Sequence, residues 1–294
     1  MFPGLGLALA GSISYAPGPG NSSHQELFQS ENTGVRRRRG RGGTAIVTFG
    51  SYTNEPTLDR PGFGENFFRR ERLDATHVIN RCNRWYQHPE RDEALAAVAA
   101  AVRDYDRAIT YGSSMGGYAA LRYAVACEAD TTIAISPQFT VDPGVVPWEV
   151  RWQPDVARTY FAEPRFAPAA RQYVFYDPRM PADNRHADLI AATGDTIRIP
   201  VPYGGHPVAA LLAETGVLQS AIRGIVASDL DPRPCARRCG ANALPRRTNI
   251  RARQSLRAAP SLHRCPVART RRTDPTRIAY RERARRAARP APPA

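Results

Sequence analysis

The residues best placed to do chemistry lie in ITYGSSMGGYAAL, Ile109 to Leu121, where Gly112, Ser114 and Gly116 make a G-x-S-x-G sequence. A β-rich run leads in and an alanine-rich helical pattern leads out, the context in which this spacing means a nucleophile elbow. A serine held in a strained turn projects its Oγ at a sheet edge, and side chains two positions either way would collide with crossing backbone. The helix that starts beneath the serine aims N–H groups and the positive end of its dipole where negative charge would develop. Ser114 is therefore the candidate nucleophile. The plain alternative is a glycine-rich strand-to-helix turn with no chemistry.

A serine nucleophile needs a base, and the base needs a group to orient it. His206 suits the first role, because it follows the strand-like TIRIPVP within Y-G-G-H-P, where two glycines let the loop bend over a sheet edge. The other histidines fit less well: His24 and His263 fall in terminal stretches expected to be disordered, His77 is inside a strand, and His88 and His186 begin helices. Two carboxylates between the serine and the histidine qualify as the acid. Asp183 opens a helix in PADNRHA and is preferred; Asp177 ends a strand in VFYDP, and could instead brace the loop through N–H groups near Arg179. The plain reading of Asp183 is a helix N-cap.

Positioning three such side chains takes a sheet, and the pattern supplies one. TAIVTFG is a continuous apolar run of the fully buried kind. ENFFRRERLDA reads as a helix, Thr76 to Asn80 as a strand, Glu90 to Asp104 as an amphipathic helix and Asp106 to Tyr111 as the strand leading to the elbow. Beyond the elbow helix, strands at Thr131 to Ser136, from Arg171 and at Thr196 to Pro202 alternate with helices, the last a single long one after His206. This alternation predicts an α/β fold, a mostly parallel sheet with helices on both faces and pockets at the carboxyl ends of its strands. Pro137 to Ala170 interrupts the pattern with prolines and aromatics, and reads either as a lid over a pocket or as a surface loop whose aromatics pack on the core. The predicted division is a flexible lead-in at 1–43, a catalytic domain at 44–227 with the lid at 137–170, and a disordered tail at 228–294.

The formal charge of +14 belongs to that tail, where residues 231–294 carry 18 arginines against three acids; the preceding 230 residues are nearly balanced. No lysine occurs, which looks like the codon bias of a GC-rich genome, so the folded body is not expected to bind nucleic acid. The N-terminal Arg36 to Arg41 run reads as solvated charge. Cys235 and Cys239 with His263 and Cys265 match no strong zinc template, and five irregularly spaced cysteines suggest no disulfide framework. Neither a basic n-region before the first apolar run nor a stretch long enough to span a membrane is present, so a cytoplasmic location is expected.

The order Ser114, Asp183, His206, together with TFGSYT, YGSSMGGYAAL and YGGH, resembles the α/β-hydrolase superfamily over about residues 44–225, in particular uncharacterised bacterial hydrolase-like members. The resemblance implies an oxyanion hole from the N–H of Met115 and an N–H on the loop after the first central strand, at Ser51 or Tyr52. Two departures stand out: Phe49-Gly50-Ser51 replaces the usual His-Gly of that loop, and the first hairpin of the sheet is expected to be shortened or missing. The expected activity is a serine hydrolase that cleaves a carboxylic ester or thioester through an acyl-enzyme, without metal or cofactor. Its partner would be a small-molecule or glycoconjugate acyl substrate, held in a pocket with Tyr52, Trp85, Trp148 and Trp152. The alternatives are acyl transfer to a sugar or other hydroxyl by the same residues, and a non-catalytic protein of this fold with an anion-binding tail.

Overall fold

The structure is a computed structural model that describes residues 24–157, 159 and 166–227. In chain order its elements are β1 (Gln25–Gln29), β2 (Thr33–Arg38), β3 (Thr44–Phe49), α1 (Glu65–Arg70), β4 (Asp74–Asn80), α2 (Arg91–Val102), β5 (Arg107–Ser113), α3 (Met115–Arg122), β6 (Thr131–Ile135), α4 (Gln153–Val156), β7 (Arg171–Tyr176), α5 (Pro181–Ala191), β8 (Thr196–Pro200), α6 (Ala209–Glu214) and α7 (Val217–Val226). The strands form one eight-stranded sheet in the order β1-β2-β4-β3-β5-β6-β7-β8. From β4 to β8 every neighbouring pair is parallel. The predicted α/β architecture is thus the observed one.

Strand alternation decides which side chains meet which helices. On β3, Ala45, Val47 and Phe49 face the core that includes α2 and much of α3, while Ile46 faces the opposite core with Phe67 and Phe68 of α1 and with Leu212, Ile222 and Ile225 of α6 and α7. A third cluster seats Leu121 of α3 and Ala187 and Ile190 of α5 on Val174 and Tyr176 of β7. Both sheet faces are covered, which is why the central strands read as unbroken apolar runs.

Five expectations need correction. Regular structure begins at Gln25, not Thr44: β1 and β2 form an antiparallel hairpin, and β2 pairs antiparallel with β4, so the edge hairpin is present. Its arginines concealed it. Arg37 is not solvated charge; it is buried, with Nε and Nη2 donating to Asp74 at 3.2 and 3.3 Å and a further contact to the Tyr105 hydroxyl. Likewise His24 is ordered enough to pair with Glu65 at 2.9 Å. The single final helix is two, because Gly216 takes φ 71° and ends α6 before α7 begins. The tail from 228, with its cysteines and His263, and the lead-in before residue 24 lie outside the described residues. No helix among the described residues is long and apolar enough to cross a membrane.

The elbow depends on two close approaches. A β-carbon on Gly112 would lie 2.1 Å from the Gly116 carbonyl oxygen, and one on Gly116 would lie 2.3 Å from the Phe49 carbonyl oxygen. In both cases the obstacle is backbone, which cannot turn aside as a side chain can. Gly116→Ala should therefore lower the unfolding free energy by about 3 kcal/mol or more. Urea unfolding measures this, and a midpoint equal to that of the wild type would contradict the packing.

Candidate active site

β5 ends in Ser113, and Ser114 turns the chain into α3 with φ 52° and ψ −117°, a conformation uncommon for a residue with a side chain. Two backbone hydrogen bonds lock it there: Ser114 N–H donates to Ile135 O at 2.8 Å, and Tyr118 N–H donates to Ser114 O at 2.9 Å. The Ser114 Oγ lies 2.8 Å from His206 Nε2. His206 sits on the loop between β8 and α6, and its Nδ1 lies 2.8 Å from Asp183 Oδ2. Asp183 occupies the first turn of α5, but Met180 holds the N-cap position, so the carboxylate is turned toward the histidine rather than capping its own helix.

Asp177 has a different placement. Its Oδ1 accepts the Arg179 N–H and its Oδ2 accepts the Gly205 N–H, both at 2.9 Å. It ties the end of β7 to the residue before His206. The Val208 N–H donates to Ser136 Oγ at 3.1 Å and fastens the other side of the same loop.

Sequence reasoning missed the supports of Asp183. Arg151 Nη1 donates to Asp183 Oδ1 at 2.7 Å, and its Nε and Nη2 donate to Glu149 at 2.9 and 2.6 Å. Glu149 Oε2 in turn lies 2.9 Å from His186 Nε2. The Phe139 N–H donates to His186 Nδ1 at 3.1 Å, which makes that nitrogen an acceptor and puts the proton on Nε2, facing Glu149. Burial would raise the Glu149 carboxyl, yet hydrogen bonds from Arg151 and His186 hold it down at about 2. Desolvation keeps His186 below its usual range, against the pull of Glu149. The row is therefore a neutral imidazole, a carboxylate, a guanidinium and a second carboxylate. A signal existed: in WEVRW, charged residues at 149 and 151 alternate between tryptophans, and His186 lies three residues after Asp183 on the same face of α5.

The aromatic candidates divide. Trp152 packs against His206 at a ring separation of 5.5 Å, with Tyr52 at 5.8 Å and Trp85 at 5.9 Å. Tyr52 is 39% exposed and donates its hydroxyl to Asp155 Oδ2 at 3.0 Å, whereas Trp85 is buried and donates its N–H to Gln138 Oε1 at 3.3 Å. Trp148 instead packs on His186 at 4.7 Å and beneath Arg185, placing it with the supports of Asp183. On the other side of the serine, Ser51 Oγ donates to Ser113 O at 2.9 Å and holds the loop after β3 against the end of β5. Met115 opens α3, so its N–H lies in the first turn, where no earlier carbonyl accepts it. No group of three or more His, Cys, Asp or Glu side chains among the described residues could hold a metal ion.

The Glu149 carboxyl lies below the unfolded carboxylate's 4.5, so its contribution to stability is present above that pH and is lost as pH falls toward 2. The stability gap between wild type and Glu149→Gln should be wide at neutral pH and shrink by about pH 3 in urea unfolding. A gap that does not change with pH would contradict the assigned charge state.

The sequence matches no protein-family model and no curated protein. Solved structures do resemble the fold. The crystal structure of EstE5-PMSF superposes with a TM-score of 0.50 at 14% identity, covering 73% of this chain and 85% of that one. MGS-M1, an α/β-hydrolase enzyme from a Medee basin deep-sea metagenome library, gives 0.45 at 12% identity, covering 71% and 89%. The capsule O-acetyltransferase of Neisseria meningitidis serogroup A gives 0.48 at 11% identity, covering 69% and 97%. At such identities the likeness is one of fold, and it agrees with the mostly parallel eight-stranded sheet flanked by helices. The chain has the α/β-hydrolase fold.

Proposed function

We propose that this protein is a serine hydrolase that cleaves a carboxylic ester or thioester through an acyl-enzyme. The observation that carries the reading is the unbroken line from Ser114 Oγ to His206 Nε2 and from His206 Nδ1 to Asp183 Oδ2, each gap 2.8 Å. In this reading His206 takes the Ser114 proton as Oγ attacks the substrate carbonyl, then delivers it to the leaving alcohol or thiol. Water repeats the sequence in reverse and releases the acid. Asp183 holds the imidazole with its Nδ1 proton inward and offsets the charge the ring acquires. The N–H groups of Met115 and Ser51 are the proposed oxyanion donors, each of a kind worth about 3 to 4 kcal/mol in the transition state. Tyr52 and Trp152 form the aromatic wall beside the base, and Trp85 backs Trp152.

Ser114→Ala should abolish turnover of short p-nitrophenyl esters while circular dichroism stays that of the wild type; retained turnover would remove the nucleophile. The two aspartates give a sharper comparison. Asp183→Asn should lower kcat by about four orders of magnitude, because an amide no longer fixes the imidazole tautomer. Asp177→Asn keeps an acceptor for one of its two N–H partners and should cost far less. Equal losses would assign the acid wrongly. The same site could pass its acyl group to a hydroxyl acceptor that stacks on Tyr52, and product analysis with and without a sugar acceptor distinguishes transfer from hydrolysis.

A further inference from the structure

The insertion between β6 and β7 reaches the residues of the proposed triad. Within five residues it supplies Trp148 to His186, Glu149 to His186, Arg151 to Asp183 and Trp152 to His206. One short stretch therefore touches both the proposed acid and the proposed base. Arg151 is the joint of this arrangement. It uses one arm of its guanidinium on Asp183 and the rest of the fork on Glu149, and a fork engaged on both sides cannot swing away without abandoning a buried carboxylate.

The two oxygens of Asp183 are thus divided, Oδ1 to Arg151 and Oδ2 to His206. That division fixes the carboxylate plane. It also places a permanent positive charge one carboxylate away from the ring that must accept a proton. We infer that Arg151 is a positioning residue, which holds the Asp183 carboxylate with Oδ2 toward His206 and so keeps the imidazole aligned on Ser114. The inference rests on the hydrolase reading and deepens it. Removing the arginine leaves the Asp183 carboxylate free to rotate out of that plane, and the imidazole then loses the partner that keeps Nε2 on Ser114 Oγ.

Other charged or titratable groups around these side chains do not duplicate the role. Asp177 reaches the His206 loop through the Gly205 N–H, Arg179 stacks on the Tyr203 ring 4.4 Å from its centroid, Asp155 takes the Tyr52 hydroxyl, and His186 presents a proton to Glu149 rather than a charge to Asp183. Among these contacts, Arg151 alone puts a cation on the carboxylate that orients the base.

The test is kcat and KM for a p-nitrophenyl ester in wild type, Arg151→Met and Arg151→Lys, with Ser114→Ala as the blank. Arg151→Met should lower kcat by about tenfold or more with KM little changed, and Arg151→Lys, which keeps a donor for Asp183 but not the fork, should recover part of that loss. If Arg151 only fastens the insertion to α5, the methionine variant will raise KM and leave kcat near wild type, which overturns this inference and leaves the hydrolase intact. Should Arg151→Met fail to fold, the lysine variant decides: a wild-type kcat would overturn the positioning role. Turnover indistinguishable from the Ser114→Ala blank would remove the hydrolase reading and this inference with it.

Discussion

The arrangement turns on a buried carboxylate. Asp183 is 2% exposed, and an ionised group so far from water must have its charge answered within the protein. It is answered from two directions, by Arg151 on one oxygen and His206 on the other. Each partner belongs to a different excursion from the sheet: the insertion after β6 brings the arginine, and the loop after β8 brings the histidine. The carboxylate itself comes from the first turn of α5, after β7. One desolvated charge thereby fixes the relative placement of three segments that meet beyond the carboxyl ends of adjacent parallel strands.

Ser114 is fixed by the opposite means, not charge but contact. Ser114 keeps its strained conformation because Gly112 and Gly116 let the start of α3 press against the end of β3, leaving no room for a β-carbon. The sheet makes this possible by stacking β3, β5 and β6 in register, so that Phe49 opposes Gly112 and Ile135 opposes Ser113. A rigid serine and a charge-locked imidazole then meet at 2.8 Å. Backbone strain at the serine is sustained by the packing around it, as expected where one conformation is over-determined.

How much of this the sequence disclosed follows from how local each signal is. The central strands were legible because burial on both faces writes them as apolar runs, and the elbow because glycine spacing and a strand-to-helix change coincide within a few residues. The meeting of Ser114, His206 and Asp183 could be anticipated from loop positions on a parallel sheet. The β1–β2 hairpin was hidden because Arg37 carries a charge whose partner, Asp74, is far along the chain. Nothing nearby says that this arginine is buried. The split between α6 and α7 was marked only by Gly216, a single residue within a continuous apolar periodicity. Glu149 and His186 escaped because their hydrogen bond crosses 37 residues, and the charge alternation in WEVRW marks only one end of it. Trp148 and Trp152 were both expected in the pocket, yet four residues apart they separate, Trp148 onto His186 and Trp152 onto His206.

The central claim is that the hydroxyl at 114 is activated by the imidazole beside it, and covalent capture addresses that without knowledge of the substrate. Native protein is treated with a fluorophosphonate at neutral pH, weighed intact and then mapped by peptide mass. The account predicts one adduct per chain, carried on the peptide that contains Ser114 and absent when His206 is replaced by alanine. A chain left unmodified, or an adduct on a different residue, would contradict it.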